Sequence, residues 1–130
     1  TVSSGAITLD RSAQKVHVGL GYYATLKTMR IEAGSEDGTS QGKLKRIHDV
    51  TLRLYRTVGA KVGPNTATID IIPFRSSADE MGQPLDMFTG DKTLEFAGGI
   101  DTDAFVTVQQ QHPLPMTLLG IYARLQTHDR

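Results

Sequence analysis

The sequence predicts an all-β fold, an antiparallel β-sandwich or barrel of about eight strands joined by long loops. Three observations predict it. Thirteen glycines and five prolines are scattered among short apolar clusters, which is the rhythm of strands and turns. Residues 49–57 alternate strictly, with Val50, Leu52 and Leu54 on one side and Thr51, Arg53 and Tyr55 on the other, as a sheet with one buried face requires. Fifteen threonines add β-branched side chains, which sit well on a pleated surface and poorly inside helices. At 130 residues the chain fits one domain, residues 1–130, and can bury roughly two-thirds of the surface that it exposes when unfolded.

A first strand is expected near residues 5–9 and a second near 15–20. A third spans 25–32, where Leu26, Met29 and Ile31 alternate imperfectly with Lys27 and Arg30. After the strand at 49–57, the turn Val62-Gly63-Pro64-Asn65 leads into 67–72. Residues 93–96, 105–110 and 117–126 complete the set, with Leu119, Ile121, Ala123 and Leu125 sharing a face of the last. Little helix is expected. Only residues 43–50 carry a charge spacing suited to one or two turns, and a helix that short is marginal without tertiary support.

Residues 33–42, 73–91 and 97–104 read as loops. A loop of nearly twenty residues is uncommon in a compact domain unless it is functional or packed on a neighbour. The segment 73–91 carries Phe74, Met81, Leu85, Met87 and Phe88, too apolar to lie freely in water, so it is expected to pack on its own sheet or on a second copy. Gln109 to Met116 passes from a strand through a bend locked by Pro113 and Pro115, which is architecture rather than catalysis.

Fourteen Lys and Arg balance fourteen Asp and Glu, so the chain lacks the basic excess of most stand-alone nucleic-acid binders. Any contact with DNA must be local. The densest basic cluster is Lys43, Lys45, Arg46 and His48, beside the acidic Glu36-Asp37, and Arg53 and Arg56 extend it along the best strand. Such a cluster serves either as a solvated face or as a set of sequence-independent phosphate contacts, for which Lys43, Lys45, Arg46 and Arg53 are the candidates.

Without cysteine the chain has no disulfides or thiolate metal sites, and His17, His48, His112 and His128 share no metal-ligand spacing. No metal or cofactor is expected. Gly38 to Leu44 fails the phosphate-loop pattern, because three residues rather than four separate the glycines and Leu follows Lys43. Asp101-Thr102-Asp103 reads as a turn, and neither Asp86 with Asp91 nor Ser76 with Ser77 forms a recognisable catalytic arrangement. The residues thus predict no enzyme. No apolar run approaches the ~20 residues of a membrane-spanning helix, so no membrane partner is expected. The chain begins with Thr1, which predicts a processed product or a piece of a longer polypeptide.

Read together, several pieces resemble the C-terminal region of phage tail nozzle proteins, the family also called tail tubular protein B or stabilisation protein in short-tailed phages. They are Lys15-Val16-His17-Val18-Gly19-Leu20-Gly21-Tyr22, Lys45-Arg46-Ile47 with Val50-Thr51-Leu52-Arg53-Leu54-Tyr55, Pro73-Phe74-Arg75, Met81-Gly82-Gln83-Pro84, Phe88-Thr89-Gly90-Asp91 and Pro113-Leu114-Pro115-Met116-Thr117-Leu118-Leu119. The resemblance implies a structural virion component whose copies form a ring, usually a hexamer, below the portal and adaptor. The ring makes a tube that retains packaged DNA and later conducts it out. Implied partners are further copies, other tail and adaptor proteins, and DNA bound without sequence preference. Family members are several times longer than this chain. Contacts in a ring are heterologous, and long loops and exposed strand edges supply them. Phe74, Met81, Met87 and Phe88 are the candidate inter-subunit residues. The alternative is a carbohydrate-binding β-sandwich module. Such sites use exposed aromatics in a planar row, whereas this chain has no Trp and four Tyr, of which Tyr22 and Tyr23 are adjacent and would face opposite sides of a strand.

Overall fold

The computed structural model describes residues 2–13, 16, 18–32, 34–35 and 38–128. Among them are ten strands and no helix: β1 Ala24–Lys27, β2 Gly34–Ser35, β3 Gly38–Thr39, β4 Leu44–Thr57, β5 Ala60–Gly63, β6 Asp70–Ile71, β7 Phe88–Glu95, β8 Ile100–Asp101, β9 Thr107–Gln110 and β10 Leu118–His128. Every ladder is antiparallel. One sheet has the order β1-β9-β5-β6, the other has β10-β4-β7 with β8 also on β4, and β2 and β3 form a separate hairpin. The core lies between the two sheets, where Val50, Leu52 and Leu54 of β4 meet Val62, Val106 and Val108 of the facing layer.

The expected alternation appears from Val50 to Tyr55, with Val50, Leu52 and Leu54 wholly buried and Arg53 and Tyr55 facing water. It breaks at Arg56, where a register shift against β7 leaves two successive residues exposed and turns Thr57 inward. Residues 43–50 extend this strand and form no helical turn. Their helix-like spacing has a local cause: the β4–β10 register slips between Asp49 and Ile47, leaving His48 as the extra residue of a bulge. Ile47 and Val50, three residues apart, therefore both point into the core. A second slip falls between Leu118 and Gly120 of β10. It turns Leu118, Ile121, Ala123 and Leu125 inward and leaves Leu119 62% exposed, which corrects the expected face.

Other expected strands are shorter or absent. Of the strand expected at 15–20, Lys15 and His17 lie outside the described residues, and the rest carries no ladder; residues 5–9 share only the isolated bridge between Ser3 and Ala6. The strand expected at 25–32 stops at Lys27, although Thr28 and Ile31 still donate backbone hydrogen bonds to Val106 and Ala104. That at 67–72 contracts to β6, because Asn65 Oδ1 accepts from the amides of Ala67 and Thr68 and holds the chain in a turn. In contrast, β7 begins at Phe88, so the long loop ends before its last four expected residues. Of the loop at 33–42, Ala33, Glu36 and Asp37 lie outside the described residues, and the rest holds the β2–β3 hairpin.

Candidate functional surfaces

The strict alternation of β4 separates the basic cluster. Lys45 points inward and is 1% exposed, whereas Arg46 points to water. A charge placed inside needs a partner, and Lys45 Nζ donates to Glu32 Oε1 at 3.2 Å and to the Thr102 carbonyl at 3.3 Å. Glu32 Oε2 also accepts from the Ser40 hydroxyl, so the Glu32–Lys45 pair ties the chain before β2, the turn before β4 and, through the Lys45 bond to Thr102, the loop after β8. Lys45 is therefore a structural cation. The expectation that it contacts phosphate is overturned by its burial.

Arg53 stands on the solvent side of β4, opposite Asp91 of β7. Its Nε and Nη2 donate to the two Asp91 oxygens, each at 2.8 Å, a bidentate pair that occupies the guanidinium fork. This hydrogen bond raises the Arg53 pKa above its ordinary value and holds the Asp91 carboxyl below the usual carboxylate range. On the same face Arg124 of β10 pairs with Asp49 of β4, and His48 Nε2 lies 3.3 Å from Gln126 Oε1. Lys43 is half-buried in the turn before β4. Arg46 and Arg53 are seven residues apart along the strand, about 23 Å. The four proposed phosphate contacts thus form no single patch, and only Arg46 and Arg53 face water on one side of β4.

The long loop resolves into two parts. Phe74 and Phe88 pack against the core and against each other, edge to face, with ring centroids 6.1 Å apart. Lys92 Nζ stands 5.0 Å from the Phe88 centroid and donates to the Pro73 carbonyl at 2.7 Å, which closes the base of the loop. These two phenylalanines serve the domain's own fold, as one version of the packing expectation had it. Met81 and Met87 remain on the surface, at 91% and 46% exposure. Between the two phenylalanines the backbone of residues 75–83 is held by polar ties. Arg75 donates to the carbonyls of Glu80 and Gln83, and the Ser76 amide and hydroxyl donate to the Asp79 carboxylate and keep its pKa low.

A surface that residue-by-residue reading missed is the segment 2–23. All its described residues are exposed, including Val18, Leu20 and Tyr23. Its root is fixed on the bend before β10: the Tyr22 hydroxyl donates to the Leu114 carbonyl at 3.3 Å, and a Cβ on Gly19 would sit only 2.7 Å from that of Pro113. Tyr22 and Tyr23 lie in no strand.

A cleft of about 250 Å³ opens where Lys27, Phe105, Phe96 and Asp101 approach one another, and Lys27 Nζ covers the Phe105 ring at 4.0 Å. Among the described residues no three His, Asp or Glu side chains gather as metal ligands would. Asp101 Oδ1 accepts from the Asp103 amide, the turn expected there, and Asp103 pairs with Arg30 at 2.9 Å. Compared with known protein families and with curated proteins, the chain matches none.

Proposed function

We propose that the chain is a non-enzymatic building block of a virion, part of the nozzle ring through which a short-tailed phage retains and conducts its DNA. The collinear motifs suggest the family, and the two-sheet fold suits a part whose work is to hold a shape. The observation that carries the reading is where apolar surface is left open. Of seventeen exposed large apolar side chains among the described residues, eight lie in residues 2–23, roughly a sixth of the chain. Scattered surface apolar residues need no explanation, but a concentration like this one marks a surface that another protein covers.

DNA contact in this reading is local and independent of sequence, with exposed cations such as Arg46 meeting phosphate. The test is the assembly state of the full-length gene product. Rings in negative-stain images, with a matching mass in sedimentation and the same polypeptide in purified phage particles, are the expected result. A protein that stays monomeric across the micromolar range and binds glycans on an array would replace this reading with the carbohydrate-binding one.

A further inference from the structure

Before β1 the sequence places apolar residues at every second position, Val16, Val18, Leu20 and Tyr22, the spacing of a strand with one buried face. None of them lies in a ladder, and Val18 and Leu20 are 69% and 92% exposed. The segment has a strand's pattern and no sheet.

The second sheet shows the converse. It ends at β10, eleven residues that pair with β4 on one side and with no described strand on the other. The inward row of β10, Leu118, Ile121, Ala123 and Leu125, is only half-buried, whereas its neighbours Val50, Leu52 and Leu54 on β4 are fully covered. An edge of this length presents unpaired N–H and C=O groups to whatever strand can align with them. One more strand with inward apolar residues would satisfy those groups and cover the row.

We infer that the two unfinished elements complete each other between copies: the arm of one copy adds as a strand along β10 of the next. This inference rests on the reading of the chain as a self-assembling unit. Two observations favour a second copy as the occupant, and the geometry of the contact follows from them. Within one chain no described residue of the arm pairs with β10, although Tyr22 and Gly19 fix the root of the arm at the bend that leads into that strand. The arm is about as long as the 20 residues that one partner gives to a standard interface. Donor and acceptor are different surfaces of the same chain, so the contact is head-to-tail and repeats from copy to copy, closing into a ring when the rotation allows.

These 130 residues contain no cysteine, and any cysteine elsewhere in the full-length protein is first replaced by serine, so that a cross-link reports only the introduced pair. Full-length protein carrying Val18→Cys or Leu20→Cys is mixed under mild oxidation with protein carrying Ile121→Cys or Ala123→Cys. Disulfide-linked dimers between the two kinds of copy, in at least one pairing, are expected. The cysteine-free variant Val18→Asp/Leu20→Asp is expected to weaken self-association by about tenfold or more. At concentrations where both proteins are monomeric its melting temperature should match the parent's, because both side chains lie outside the chain's own core. Assembly at the original strength in the Asp variant, with no cross-link between copies, would overturn strand exchange while leaving the assembly reading intact. A double-cysteine chain that links only within itself would also overturn it, by placing the arm on its own β10. Monomers at every concentration, without cross-links, would remove the assembly reading and the inference together.

Discussion

Gln110 Nε2 donates to the Val58 carbonyl at 2.8 Å, inside the two-residue crossing that carries the chain from β4 in one sheet to β5 in the other. The Gln110 side chain is wholly buried, and its Oε1 accepts from the amides of Gln111 and His112 in the bend that returns towards β10. One amide therefore ties two of the passages between the sheets. Gln110→Ala would remove these bonds from the half-buried Val58 and Gln111, each at a cost of up to about 1–3 kcal/mol, whereas the amide of the exposed His112 can turn to water. The expected loss is about 2–4 kcal/mol in urea denaturation. A loss under about 0.5 kcal/mol would mean that water reaches the crossing and the tie is dispensable.

The buried Lys45 predicts an asymmetry between the two partners of its ion pair. Glu32→Gln leaves an interior ammonium facing only a carbonyl and a neutral amide, and should cost about 2–3 kcal/mol. Lys45→Met keeps the buried stem, removes the charge that needed a partner, and leaves Glu32 beside solvent, so it should be close to neutral. Thermal melting of the two variants decides it. Equal destabilisation by both would show that the charge pair itself holds the fold. Under the proposed DNA contact, affinity for DNA should be untouched by Lys45→Met and lowered by Arg46→Ala at a given salt concentration.

These two sites also show what a single sequence can and cannot reveal. The period of two from Val50 to Tyr55 marks the central strand and its buried face, because burial on one side writes itself into every second residue. A bulge erases that signal locally. At His48 one extra residue brings Ile47 and Val50 to the same side, and the stretch imitates a helical period. The same effect at Leu119 shifts the apparent face of β10. Lys45 reads as surface charge because its partner, Glu32, lies thirteen residues away across a hairpin, a relation fixed only by the fold. The sequence marks residues 73–91 as one loop too apolar to lie in water, and the structure closes its base through the Phe74–Phe88 contact and the Lys92 bond to Pro73.

The loop residues separate by role when substituted one at a time. Phe88→Ala removes an aromatic side chain packed on Phe74 and the core and should destabilise the domain by about 2–4 kcal/mol. Met81→Ser, at a position 91% exposed, should change stability by less than about 0.5 kcal/mol. Guanidinium denaturation distinguishes the two. If Phe88→Ala leaves stability unchanged but weakens assembly, Phe88 acts between copies and its intramolecular packing is incidental.

The Arg53–Asp91 pair fixes the sign of one acid dependence. The guanidinium holds the Asp91 carboxyl below the usual carboxylate range in the folded chain, so the unfolded chain takes up that proton first as the pH falls. The pair's contribution is therefore complete above about pH 4, the ordinary value for a free Asp, and is lost as acid drives the folded carboxyl through its lowered pKa. Asp79, held low by the Ser76 amide and hydroxyl, acts in the same direction. Arg53→Met should be little changed from the parent at pH 7, because an exposed ion pair in water contributes modestly. It should lose less than the parent between pH 5 and pH 2, and 1 M salt should narrow the difference by screening the pair. Melting temperatures recorded across that range test the point. A parent and variant that fall in parallel would show that Asp91 titrates alike in the folded and unfolded chain, and that Arg53 does not hold it.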